Sequence, residues 1–134
     1  MWPRIVLLSA VMVGCVPNPS DTAITGSTSM APGSSLTVRQ NYQTAHRNVV
    51  EFAQSCYERS GYFRIQQRLD SERNLAELDL FRLPTSEPVG KVTLGEVDPR
   101  TSTVTTWFLD SAWASHGASF EAAAMGATAA CRVP

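Results

Sequence analysis

The spacing of apolar residues changes twice along this chain, and that change limits the fold more than any other feature. Tyr42, Ala45, Val49, Phe52, Ala53 and Cys56 recur at intervals of three and four, the period of an amphipathic helix. From Tyr62 the period falls to two. Phe63, Ile65 and Leu69 alternate with Arg64, Gln66 and Arg68, and Ala76, Leu78 and Leu80 alternate with Glu77 and Asp79. Helical spacing returns at Trp113, Gly117, Phe120, Ala124, Ala127 and Cys131. Helices segregated from strands in this way predict an α+β, two-layer domain with a four-stranded antiparallel sheet of two hairpins, flanked in sequence by two helices packed on one face.

Local signals set the expected boundaries. Thr37-Val38-Arg39-Gln40 fits a capping box, in which the Thr hydroxyl accepts the third helical N–H and Gln reaches back to the cap, so the first helix is expected to start there. Gly61 is suited to end it in a left-handed conformation. The first hairpin turns near Asp70-Ser71-Glu72-Arg73 and has two plausible registers. Closure at Leu69 and Asn74 sets Arg64 opposite Asp79, whereas a shift of two residues sets Arg68 opposite Glu77; either way opposite charges meet across the wet face. Pro84 to Pro88 is a break, and the second hairpin turns at Asp98-Pro99-Arg100-Thr101. Val92 and Leu94 share one side of its first strand; Val104, Thr106 and Phe108 share one side of its second, with Trp107 and Leu109 on the other. In the last segment Ala118, Ala122, Gly126 and Ala130 form a stripe of small residues that favours close packing in a soluble core.

The first residues are of a different kind. Met1-Trp2-Pro3-Arg4 carries one positive charge, Ile5 to Val13 is apolar apart from Ser9, and Met12-Val13-Gly14-Cys15 closes the run, which is too short to span a bilayer as a mature helix. The tetrad resembles the lipobox of bacterial lipoproteins, with Met12 where most have Leu; the folded part matches no characterised family. The resemblance implies a signal peptide over residues 1–14, cleavage before Cys15 and lipid on Cys15. Each buried methylene contributes about 0.8 kcal/mol, so several acyl chains hold a protein to a membrane. Val16, rather than Asp, follows the cysteine, and the resemblance then implies the outer membrane, facing the periplasm. Ordinary signal cleavage after Leu8-Ser9-Ala10, giving a secreted or periplasmic protein, is the alternative. Residues 15–35 are rich in Pro, Gly, Ser and Thr and are expected to form a flexible tether of roughly 25 Å, leaving 36–134 as the single domain.

Cleavage would leave 120 residues with ten basic and twelve acidic side chains, a balance with no nucleic-acid footprint. An odd number of cysteines in an exported protein needs an explanation, and lipidation of Cys15 supplies one. Cys56 and Cys131 then remain as a possible disulfide pair, favoured over a redox or metal pair because no C-x-x-C and no ligand-like histidine spacing accompanies them. Such a link would restrict the unfolded chain by roughly 4 to 4.5 kcal/mol.

No catalytic motif is present: G-x-S-x-G, H-E-x-x-H, the P-loop and the dinucleotide fingerprint are all missing from the sequence. His46 is expected to be a packed or rim histidine and His116 an ordinary polar residue near the start of the last helix, with Ser115 and Ser119 as cap or helix-entry residues. Arg59, Arg64, Arg68, Arg73 and Arg82 are interleaved with Glu58, Asp70, Glu72, Glu77 and Asp79, a balanced solvated face rather than an anion site. Tyr62, Trp107 and Trp113 are candidates for core packing or for contact with a partner. The expectation is a non-enzymatic envelope lipoprotein, held to the membrane by lipid on Cys15 and supporting or binding another envelope component, with no cofactor and no metal. A small-ligand or peptidoglycan-binding module on the sheet face is the alternative, and an envelope enzyme or enzyme inhibitor a third reading.

Overall fold

The computed structural model describes residues 31–109 and 111–131. Cys15, the expected signal segment and the expected tether as far as residue 30 lie outside the described residues. Among the described residues the chain is α+β: one antiparallel sheet of five strands with two helices packed against it. The strands are β1 (Ala31–Val38), β2 (Phe63–Asp70), β3 (Leu75–Arg82), β4 (Glu87–Asp98) and β5 (Thr101–Phe108), in the spatial order β1-β5-β4-β3-β2. Helix α1 (Tyr42–Cys56) joins β1 to β2, helix α2 (Ala114–Ala124) follows β5, and 3-10 turns at Glu58–Ser60 and Ser111–Trp113 adjoin them. No described helix is long and apolar enough to cross a membrane.

The fifth strand corrects the sequence reading, which placed residues 31–35 in the tether and Thr37 at a helix cap. Leu36 and Val38 face Val104 and Ser102 of β5, while Ser35 and Thr37 face Thr105 and Thr103. Two consecutive β-branched residues, Thr37 and Val38, favour extended backbone. The Pro-Gly pair that suggested a loop falls where the register shifts between Pro32 and Ser35, and an edge strand tolerates such a bulge. The helix instead starts after Asn41, whose side-chain oxygen accepts the Gln43 N–H at 2.8 Å.

In the first hairpin the shifted register is the one adopted. Arg68 pairs with Glu77, Ile65 with Leu80 and Asp70 with Leu75. The turn explains the choice: Asp70 Oδ1 accepts the N–H groups of Glu72 and Arg73, both at 3.2 Å, and Asn74 takes a left-handed φ of 52°. The second hairpin turns where its Asp98-Pro99-Arg100-Thr101 motif indicates, and Asp98 accepts the Arg100 N–H at 2.8 Å.

Both helices cover the face that bears Ala76, Leu78, Leu80, Val92, Leu94, Val104 and Phe108. Tyr57 and Phe120 stack at its centre, with ring centroids 5.5 Å apart and planes 8° apart, and Phe52 and Phe63 meet Tyr57 edge-on. Gly117 lets α2 approach the sheet, since a Cβ there would stand 3.1 Å from Thr106 Oγ1 and 3.4 Å from the Phe108 ring. The last helix is shorter than its spacing implied. Gly126, at φ 78°, ends it after Ala124, and residues 127–131 run on without helical structure to Cys131. Cys131 therefore reaches α1 from a tail rather than from a helix end.

Candidate functional site

Packing both helices on one side leaves the opposite face of the sheet uncovered by any other described element. Strand registers place its side chains in rows. Gln66, Asp79, Lys91 and Trp107 form one row across β2, β3, β4 and β5; Arg68, Glu77, Thr93, Thr105 and Ser35 form the next, ending on β1. Lys91, the only lysine of the chain, stands at the centre. Its Nζ lies 3.5 Å from Glu77 Oε2 and 3.8 Å from Asp79 Oδ1, and Arg68 approaches the same Glu77 oxygen at 3.8 Å. Beside this group the Arg64 guanidinium lies 4.5 Å over the Phe81 ring, and Ser35 and Thr105 hydroxyls meet at 3.2 Å.

Lys91, Glu77 and Asp79 are not ordinary surface charges, whereas the Arg68 side chain is 68 % exposed. The Lys91 side chain is only 10 % exposed, and those of Glu77 and Asp79 are 20 % and 23 % exposed. Burial pushes the Asp79 carboxyl above its ordinary value, and the Lys91 ammonium pulls it back. Two cations and two carboxylates neutralise one another, so the face presents fixed donors and acceptors with little net field. Half-buried Trp107 and Phe81 add apolar surface beside them. This arrangement can recognise a partner or ligand by shape and hydrogen bonding.

The individual side chains singled out in the sequence separate into packed and exposed groups. His46 is buried on α1, with Nε2 3.1 Å from the Glu77 carbonyl oxygen, and burial lowers its pKa against the opposing effect of that hydrogen bond. His116 is buried on α2, where Nδ1 and the Tyr57 hydroxyl share a hydrogen bond of 2.5 Å and the ring lies 4.6 Å from Trp113. Burial raises the Tyr57 pKa, which keeps the phenol neutral. Ser119 donates to the Ala130 carbonyl at 2.9 Å and so fastens the C-terminal tail to α2. Arg73 and Arg82 pair with Asp70 and Glu87 at 3.7 Å and 3.9 Å, in keeping with a balanced face. Trp113 is buried, whereas Tyr62 is 66 % exposed. Tyr62, Phe63, Arg82, Leu83 and Trp113 line a shallow notch of about 260 Å3, with the Arg82 guanidinium 5.7 Å over the Trp113 ring.

Cys56, in the last turn of α1, and Cys131 are joined, with their Cα atoms 5.5 Å apart. Among the described residues no group of three or more His, Cys, Asp or Glu is placed to hold a metal ion. The Lys91 cluster escaped the sequence reading, which treated Glu77 and Asp79 only as partners of the neighbouring hairpin strand. Its signal lay in the period-two alternation of β4, which puts Lys91 and Thr93 opposite Val92 and Leu94. Comparisons with protein-family models, curated proteins and solved structures gave no match.

Proposed function

We propose that this chain is a lipid-anchored, non-enzymatic domain of the bacterial cell envelope that presents its uncovered sheet face to another envelope protein. The observation that carries the proposal is the Cys56–Cys131 pair. A disulfide between residues 75 apart belongs to an oxidising compartment, and it leaves Cys15 as the odd cysteine, at the position where the lipobox-like tetrad calls for lipid. The sheet face suits a protein partner because its charges are already paired and partly covered, and because Trp107 and Phe81 add apolar contact between them.

Intact-mass measurement of the protein isolated from its native membranes tests the anchor. The expected species begins at Cys15, carries acyl chains there and contains no free thiol at Cys56 or Cys131; Cys15→Ser should leave the membrane fraction. Recovery of a soluble, unlipidated protein with two free thiols refutes it. Photo-crosslinkers at Trp107 and at exposed Glu51 of α1 test the face, with capture of another envelope protein expected from the Trp107 position alone. One observation favours a second reading. The aromatic notch with Arg82 is a depression of the type a small ligand uses, so a ligand-binding module would act there and not on the sheet face.

A further inference from the structure

Among the described residues, the strand order leaves β2 with one edge that pairs with no other strand. Its register on β3, with the Leu83 N–H donating to the Tyr62 carbonyl at 2.8 Å, directs the backbone groups of the even-numbered β2 residues towards β3. Those of Phe63, Ile65, Gln67 and Leu69 point outward. The Ile65 N–H accordingly reaches a side chain, Glu58 Oε2 at 3.5 Å, and not a strand. On the helix side of this edge Ile65 is half-buried and Leu69 is 50 % exposed; on the open side Arg64, Gln66, Arg68 and Asp70 alternate with them.

We propose that β2 pairs with β2 of a second copy, antiparallel about a two-fold axis at Gln67, to form one continuous ten-stranded sheet. Outward-pointing residues must meet outward-pointing residues, so the axis passes through a residue and not between two. Centring on Gln66 sets Arg64 against Arg68 twice. Centring on Arg68 sets two guanidinium groups against each other, and axes farther out shorten the paired segment. Like charges directly opposite are destabilising. Centring on Gln67 instead sets Arg64 opposite Asp70, Ile65 opposite Leu69 and Gln66 opposite Arg68, each pair occurring twice. Charge and apolar surface thus select the same register. The half-exposed Leu69 gains an apolar neighbour, and β2 loses the open edge that otherwise invites unspecific pairing. Glu58 guards that edge in the single copy and leaves Ile65 when the strands join. The lipid anchor has no part in this argument.

Single cysteines introduced as Gln66→Cys, Gln67→Cys and Arg68→Cys in the full chain, oxidised in intact cells, locate the axis. Facing Cα atoms in a hydrogen-bonded pair stand about 5.5 Å apart, within disulfide reach, so Gln67→Cys should form covalent dimers fastest of the three. Equal rates, a maximum at 66 or 68, or links only to a different protein overturn the proposal. Sedimentation of the purified full chain gives a second measure. Leu69→Lys changes an exposed side chain and should lower the association constant by about tenfold or more, since each substitution removes two contacts. Arg64→Glu should also weaken association, because it would face Asp70; strengthening would instead place the axis at Gln66. A wild-type chain that sediments as a monomer at all concentrations refutes the pairing.

Discussion

Replacing Lys91 by Met tests whether the charged centre of the open face supports the fold. Met keeps most of the stem volume and deletes the ammonium that lies 3.5 Å from Glu77 and 3.8 Å from Asp79. An exposed ion pair contributes about 0.2 to 1 kcal/mol, whereas removing one partner of a fully buried pair costs about 3 to 5 kcal/mol. With side chains 10 % to 23 % exposed, this cluster lies between those limits, and the expected loss at neutral pH is about 2 kcal/mol. For a domain of this size that corresponds to a fall in Tm of roughly 8 to 16 °C. The pH dependence supplies the sharper check. Asp79 already has a raised pKa from burial, and without Lys91 it rises further. An acid with a raised folded pKa takes up its proton in the native state before the unfolded chain does, which stabilises the native state as pH falls. The variant's deficit is therefore full at neutral pH and shrinks as pH falls through the Asp79 pKa towards the ordinary carboxylate range of about 4. Urea unfolding at about pH 7 and pH 4.5 measures both quantities. A loss below about 0.5 kcal/mol, or one that is the same at both pH values, refutes the reasoning, and Asp79→Asn combined with Lys91→Met should recover part of the loss.

Three further outcomes follow from other parts of the fold. Cys131→Ser, or reduction of the wild type, should destabilise the domain by about 4 kcal/mol through the entropy of a 75-residue loop, read as a fall in the urea midpoint. Gly90→Ala should cost about 1 to 3 kcal/mol in the same assay, because its Cβ would stand 2.9 Å from the buried Phe108 ring; an unchanged midpoint would show that the ring yields. His46 is held neutral by burial, so its contribution is present above the ordinary pKa of about 6.5 and is lost as pH falls below it. Between about pH 7 and 5 His46→Gln should flatten that decline in stability.

The parts of the fold legible in the sequence were those where one face is buried along a whole element. The α1 stripe, the alternation of β2 to β5 and the Asp98-Pro99 turn read directly because burial imposes a period. β1 did not, since its outer side chains are Ser and Thr and its inner side is carried chiefly by Leu36 and Val38, too few to show a period. Thr37 and Asn41 both have the chemistry of a helix cap. What decides between them is the pairing of Thr37 with Thr103, 66 residues later, which no local motif records. The hairpin register likewise rests on Asp70, whose carboxylate can close a turn only from the position it occupies, two N–H groups within reach. The candidate site was the least legible part. Arg68 and Glu77 could be paired from one register, but Lys91 joins them from β4, and its burial depends on three strands together.

The strand order also carries a consequence for how the chain folds. β2 to β5 can assemble by successive hairpins with short separations, but β1 has no neighbour until β5 exists, and its partners Val38 and Ser102 are 64 residues apart. The first of the described strands to be made is thus the last to find its partner. A chain cut short of Thr101 would retain the three mutually paired strands β2, β3 and β4, yet have no strand beside which to lay β1. Because synthesis runs from the N-terminus, the described partner of β1 is not made until residues 101–108 have been added.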